Sequence, residues 1–185
     1  MDEPQWERAT EEEVWKYVAS HLARNGIDTV LVGGAVVAIY TAGRYRSGDL
    51  DLVNANNRDE SIIKESLGLL GFRKSGKHFQ HPLCPHLFVE FLHPPVSIGS
   101  DQRIEPREVG VEETVIRILS PTDCVKDRLA SYIYFNAREC LDQAVLVAAR
   151  LPVDETAIKR WCETEGESAR QAFIDFERNL ERYRA

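Results

Sequence analysis

Asp49 and Asp51 stand two residues apart in Gly48-Asp-Leu-Asp-Leu-Val53. Side chains at i and i+2 of a strand share a face, so both carboxylates project to one side while Leu50 and Leu52 project to the other. Two carboxylates about 6–7 Å apart repel each other unless a cation lies between them, and hard oxygen ligands of this kind suit Mg²⁺. Upstream, the apolar run Thr29–Val32 ends in Gly33-Gly34. Paired glycines let backbone approach a phosphate closely and open a helix whose N–H groups attract anions. A third acid, Glu90, lies in Leu87-Phe-Val-Glu-Phe-Leu92, whose apolar residues occupy both faces, as in a central strand. An ionised glutamate there is costly unless it is paired or metal-bound. The residues leave it open whether Glu90 is functional, a neutralised or salt-bridged core glutamate, or a solvated one at a strand edge.

The elements that must position these residues can be read from local grammar. Thr10-Glu-Glu-Glu13 is a capping box, so a helix is expected from residue 11, with Val14, Val18 and Leu22 on one face and Asn25-Gly26 ending it. Thr29–Val32 is the first strand, Ala35–Ala42 a buried helix closed by Gly43, and Asp49–Val53 the second strand. Asn57-Arg-Asp-Glu60 caps a helix whose Ile62, Ile63, Leu67 and Leu70 face inward. Phe72–Ser75 and His78–Gln80 form a hairpin around Gly76, and Leu87–Leu92 is the next strand. Residues 96–113 read as a long loop before a strand at Thr114–Ile118. Ser120-Pro-Thr-Asp123 places Ser at the N-cap, Pro at N1 and an acid at N3. From there to Arg184 the pattern is helical, broken near Asn136, Leu151-Pro152 and Gly166. The expected fold is α/β (α+β): a mixed-sheet core with its N-terminal helix over 1–118, and a helical region over 119–185 packed on it.

Gly33, Gly34, Asp49, Asp51 and the later Glu90, with Arg44, Arg46 and Ser47 completing R-x-R-S-x-D-x-D, resemble the nucleotidyltransferase superfamily related to DNA polymerase beta. Each motif is weak alone; their order and spacing make the signal specific. Glu90 is a mild departure, since most members use Asp as the third acid. The stretch Ser120–Ser131, continuing to Leu141–Ala144, is similar to the helical region of small bacterial members, including relatives of the AbiE-type abortive-infection toxins.

The resemblance implies metal-dependent transfer of a nucleoside monophosphate from an NTP to an acceptor hydroxyl. Asp49, Asp51 and Glu90 would be both the catalytic and the metal residues, for Mg²⁺ or Mn²⁺. Gly33, Gly34, Arg44, Arg46, Ser47 and Lys126 would handle the nucleotide, with Asp127 and Asp142 weaker candidates. Arg44, Arg46 and Ser47 could equally form a solvated turn, and Lys126 and Arg128 could be solvated flanks of the Val125, Leu129, Ile133 stripe. The acceptor stays open among tRNA or other RNA, protein and a small molecule, as does the choice among ATP, GTP and CTP. A non-catalytic nucleotide-binding or partner-binding module, and a toxin–antitoxin component with an antitoxin partner, are the other readings.

Composition narrows the field. The chain has 185 residues, 43% hydrophobic and 29% charged, enough to bury a sizeable core. A net charge of −7 argues against a broad nucleic-acid-coating surface, though not against a local basic groove. Nothing approaches the ~20 apolar residues that span a bilayer, so a cytoplasmic protein without membrane contact is expected. Cys84, Cys124, Cys140 and Cys162 form no C-x-x-C pair, and Cys124 and Cys140, inside helix-like apolar patterns, read as reduced core residues. His78, His81, Cys84 and His86 include zinc-capable types, but their spacing favours surface histidines beside a hairpin.

Overall fold

The computed structural model describes residues 2–185. After a 3-10 turn at Trp6–Arg8, α1 spans Glu11–Arg24. The capping box at its start is complete: Glu13 N–H donates to Thr10 Oγ1 at 3.3 Å, and Glu13 Oε2 accepts the Thr10 N–H at 2.8 Å. Val14, Val18 and Leu22 are all buried. Then follow β1 (Thr29–Val32), α2 (Gly34–Tyr40), β2 (Asp49–Asn54), α3 (Glu60–Leu69), β3 (Arg73–Ser75), β4 (His78–Gln80) and β5 (Phe88–Leu92). β6 (Arg107–Val111), β7 (Thr114–Ile118) and four helices complete the chain: α4 (Pro121–Tyr134), α5 (Glu139–Arg150), α6 (Glu155–Glu165) and α7 (Glu167–Arg184).

The strands form one mixed sheet in the order β3-β4-β5-β2-β1-β7-β6. β2 runs antiparallel to β1 and parallel to β5, so the two acid-bearing strands are central neighbours. Leu31, Leu50, Leu52, Val89 and Phe79 fill one face and are buried. The apolar core is continuous from Trp15 and Leu52 to Leu129 and Phe176, so the C-terminal helices share it with the sheet.

Three details depart from the sequence reading. The 96–113 segment contains β6, an edge strand antiparallel to β7, where a loop was expected. Its Arg107, Glu108 and Gly110 are exposed, so it carries little apolar signal. Ile62 is 40% exposed, while Ile63 and Leu67 make the buried stripe of α3. The second helix stops at Tyr40, because Ala42 and Gly43 both take positive φ and turn the chain back towards β2.

Candidate active site

The register places the acids. Asp51 pairs with Glu90 across the parallel β2–β5 ladder and with Val32 across the antiparallel β1–β2 ladder. Residues opposite one another share a face, so Asp49, Asp51 and Glu90 project to the same side of the sheet. His78, paired with Glu90 from β4, joins that side and packs on the Phe88 ring at 4.7 Å. Burial, then the charges of Asp49 and Glu90, push the Asp51 carboxyl up to about 7, with the Arg128 guanidinium pulling the other way.

Gly33 and Gly34 form the rim above this face. Gly33 has φ +75° and ψ −156°, and a methyl group there would overlap the Asp51 carboxylate. A Cβ at Gly34 would come within 2.8 Å of Ser47 Oγ and 3.4 Å of the Tyr45 hydroxyl. Bare backbone is therefore what fits here: Gly33 lies directly against the half-buried Asp51 carboxylate.

The other predicted residues divide. Ser47 Oγ donates to Asp49 Oδ1 at 2.7 Å, and its N–H donates to Glu11 Oε1 at 2.8 Å. Ser47 thereby fixes the Asp49 carboxylate. Glu11, only 3% exposed, also receives Arg46 Nε at 3.2 Å, which ties the basic turn to α1. Arg44 reaches away, donating to the Tyr183 hydroxyl on α7 at 2.9 Å. On α4, Lys126 Nζ pairs with Asp123 Oδ1 at 3.1 Å, and Asp123 accepts from Ser120 Oγ at 2.6 Å.

The cation whose field acts on Asp51 is Arg128, which the sequence reading did not single out and named only as a possible solvated flank of the α4 stripe. Its side chain is 11% exposed. Nε and Nη2 donate to Asp127 Oδ2 at 3.1 and 2.6 Å, and Nη1 donates to Gln143 Oε1 on α5 at 3.3 Å. Burial opposes its charge, but Asp127, with the nearby Cys124 and Cys140, holds its pKa above the usual arginine range. A signal for it existed. Arg128 follows the buried Cys124 by four residues and Val125 by three, which puts it on the inward stripe of α4. Asp127 also borders a cavity of about 150 Å³ lined by Val32, Val53, Leu92 and Leu119, under the 93–98 segment.

The histidine–cysteine stretch does not converge. His81 is buried rather than on the surface, stacked on Trp6 with centroids 4.0 Å apart, and its Nδ1 accepts the Leu83 N–H. His86 Nε2 meets the Ala9 carbonyl at 2.9 Å, and Cys84 is buried. Among the described residues, no three His, Cys, Asp or Glu side chains close around a metal position as they stand. No helix among them is long and apolar enough to cross a membrane.

No protein-family model and no curated protein matches this chain. Solved structures do. An antigenic nucleotidyltransferase-like protein from Paracoccidioides brasiliensis superposes with a TM-score of 0.63 at 14% identity, covering 93% of this chain and 89% of that one. The fold is nucleotidyltransferase-like. ANT(2″)-Ia, in complex with adenylyl-2″-tobramycin, superposes with a TM-score of 0.51 at 12% identity, over 94% of this chain and 98% of that one. The expected mixed-sheet core with appended helices is thus the observed architecture.

Proposed function

We propose that this chain transfers a nucleoside monophosphate from an NTP to an acceptor hydroxyl. The observation that carries the reading is the β2–β5 register, which sets Asp51 beside Glu90 with Asp49 on the same face. The close fit of bare glycine backbone against Asp51 supports it, as does the shared fold.

The donor set is three hard carboxylates, and the raised Asp51 pKa marks a place where negative charge lacks compensation. That chemistry fits Mg²⁺ or Mn²⁺, which Asp49 and Asp51 would hold with Glu90 beside them. Such an ion would stabilise charge developing on the transferred phosphoryl group. Gly33 and Gly34 give the triphosphate room and backbone N–H donors. Arg128, held by Asp127 and Gln143, supplies a fixed positive charge beside the acids. Glu90 accepts the proton of the attacking hydroxyl as the new P–O bond forms; the bond to the β-phosphate breaks and pyrophosphate leaves.

The test is calorimetry of each NTP with Mg²⁺ on wild type and on Asp49→Asn/Asp51→Asn, followed by pyrophosphate release with candidate acceptors. Metal-dependent binding that the double variant loses is the expected result. A folded wild type that binds no NTP with Mg²⁺ or Mn²⁺ overturns the reading in favour of a partner-binding module.

A further inference from the structure

The cavity of about 150 Å³ that Asp127 borders lies on the acid face itself. Its sheet wall is Val32, Val53 and Leu92. Val32 pairs with Asp51 across β1–β2, and Val53 and Leu92 follow Asp51 and Glu90 by two positions on their strands. All three side chains therefore share the face of the acids, and Val53 and Leu92 stand about 6–7 Å along the strand from Asp51 and Glu90. The 93–98 segment covers the cavity through Pro95, Val96 and Ile98. That cover is anchored. Ile98 is buried, exchanges backbone hydrogen bonds with Asp101, and accepts the Trp161 Nε1–H on its carbonyl at 3.1 Å.

Polar side chains are few around it: Asp127, His93 and Ser97. Both Arg128 hydrogen bonds to Asp127 land on Oδ2, and Oδ1 has no donor among the described residues. A carboxylate oxygen beside apolar walls is costly until an N–H or O–H reaches it. The volume is well below the ~300–1,000 Å³ of a cleft that takes a whole ligand, so it suits one ring whose remainder stays outside. A donor NTP has such a part. With its phosphates at Asp49, Asp51 and the glycine rim, its base is the flat ring one sugar away, with hydrogen-bonding groups on its edge.

Resting on the nucleotidyl-transfer reading, we propose that this pocket seats the nucleobase of the NTP and that Asp127 Oδ1 selects a base with an exocyclic amino group, as in adenine and cytosine. Hypoxanthine and uracil carry a carbonyl oxygen at that position, which would meet the carboxylate acceptor to acceptor. Asp127 is thus a specificity residue, and Arg128 holds it in place.

The experiment is calorimetry with Mg²⁺ on the full chain, comparing ATP with ITP and CTP with UTP, and using inorganic tripolyphosphate as the probe without a base. Wild type should bind the amino-bearing member of each pair about tenfold tighter, as expected for a hydrogen bond to a charged acceptor. Asp127→Asn, whose amide can donate to a carbonyl, should narrow or invert both ratios, a change that a general loosening of the site would not produce. Val96 is half-buried in the cover. Val96→Phe should fill the pocket, weakening ATP and CTP about tenfold or more while tripolyphosphate stays within about twofold. Equal affinities within both pairs in wild type, ratios untouched by Asp127→Asn, or a Val96→Phe variant that binds NTPs normally each overturn the base pocket and leave nucleotidyl transfer standing. A folded wild type that binds neither NTP nor tripolyphosphate overturns the reading beneath it.

Discussion

Gly33 lies against the Asp51 carboxylate so closely that the residue at position 33 cannot carry a side chain without displacing the acid. The turn after β1 and the acid on β2 are thus one unit, because the antiparallel register sets Val32 opposite Asp51. Gly33→Ala meets both a positive φ and this overlap. Gly43→Ala meets a similar φ of +77° with nothing within 4 Å. Both substitutions are expected to lower stability by about 1–2 kcal/mol through backbone strain. Only Gly33→Ala should also weaken Mg·NTP binding, by tenfold or more. Thermal melts and calorimetry on the pair separate strain from site damage, and equal NTP affinities would remove Gly33 from the site.

Asp51 makes stability depend on pH in an unusual direction. Its folded pKa is about 7, above the ordinary carboxylate value of 3.8, so the folded state binds the extra proton between those limits. Without divalent ions, its contribution is therefore most favourable below about pH 4 and is lost as pH rises through about 7. Asp51→Asn removes that loss. In chelator at pH 7.5 the variant should be more stable than wild type by on the order of 2 kcal/mol, with the advantage shrinking towards pH 5. Urea melts at the two pH values check it, and a variant less stable at both would mean that the carboxylate is compensated.

Arg128 and Lys126 occupy the same helix, and only Arg128 is placed to influence Asp51. Arg128→Gln should weaken NTP binding at least tenfold, while Lys126→Gln should change it less than threefold. Truncating Arg128 also strands Asp127, so a stability loss of about 1–3 kcal/mol is expected. Adding Asp127→Asn to Arg128→Gln should recover part of that stability without recovering affinity. That split distinguishes a charge acting on ligand from one that merely holds α4 to α5. Stability and affinity recovering together would assign Arg128 a structural role alone.

The contrast also shows what the sequence could carry. Thr10, Ser120 and the apolar strand runs act within a few residues, so the caps, β1, β2 and the C-terminal helix breaks were legible. The shared face of Asp49 and Asp51 followed from a period of two, and Glu90 from its apolar surroundings. The partners of Arg44, Arg46 and Arg128 were not legible. Tyr183 lies 139 positions from Arg44, and Glu11 meets the basic turn from another helix. Local patterning cannot choose among such long-range partners. β6 escaped for a different reason, because an exposed edge strand needs little apolar periodicity to pair with β7.

His81 gives a second pH effect, of opposite sign. Burial lowers its pKa below the ordinary 6.5, partly offset by Glu3, and the ring packs on Trp6 and against the edge of Phe72. Its Nδ1 already accepts the Leu83 N–H, so protonation there must break that bond. The unfolded chain takes up a proton near pH 6.5 that the fold resists. Stability is thus full above 6.5 and falls as pH drops towards the folded pKa. His21, also shifted down by burial, adds to the same slope. His81→Asn, which keeps an acceptor, is expected to lose about 1–2 kcal/mol of packing at pH 7.5 and to show a shallower decline between pH 7 and 5. Unfolding followed by tryptophan fluorescence checks both. A variant that declines as steeply as wild type would place the titration elsewhere and leave Trp6 and His81 as packing partners only.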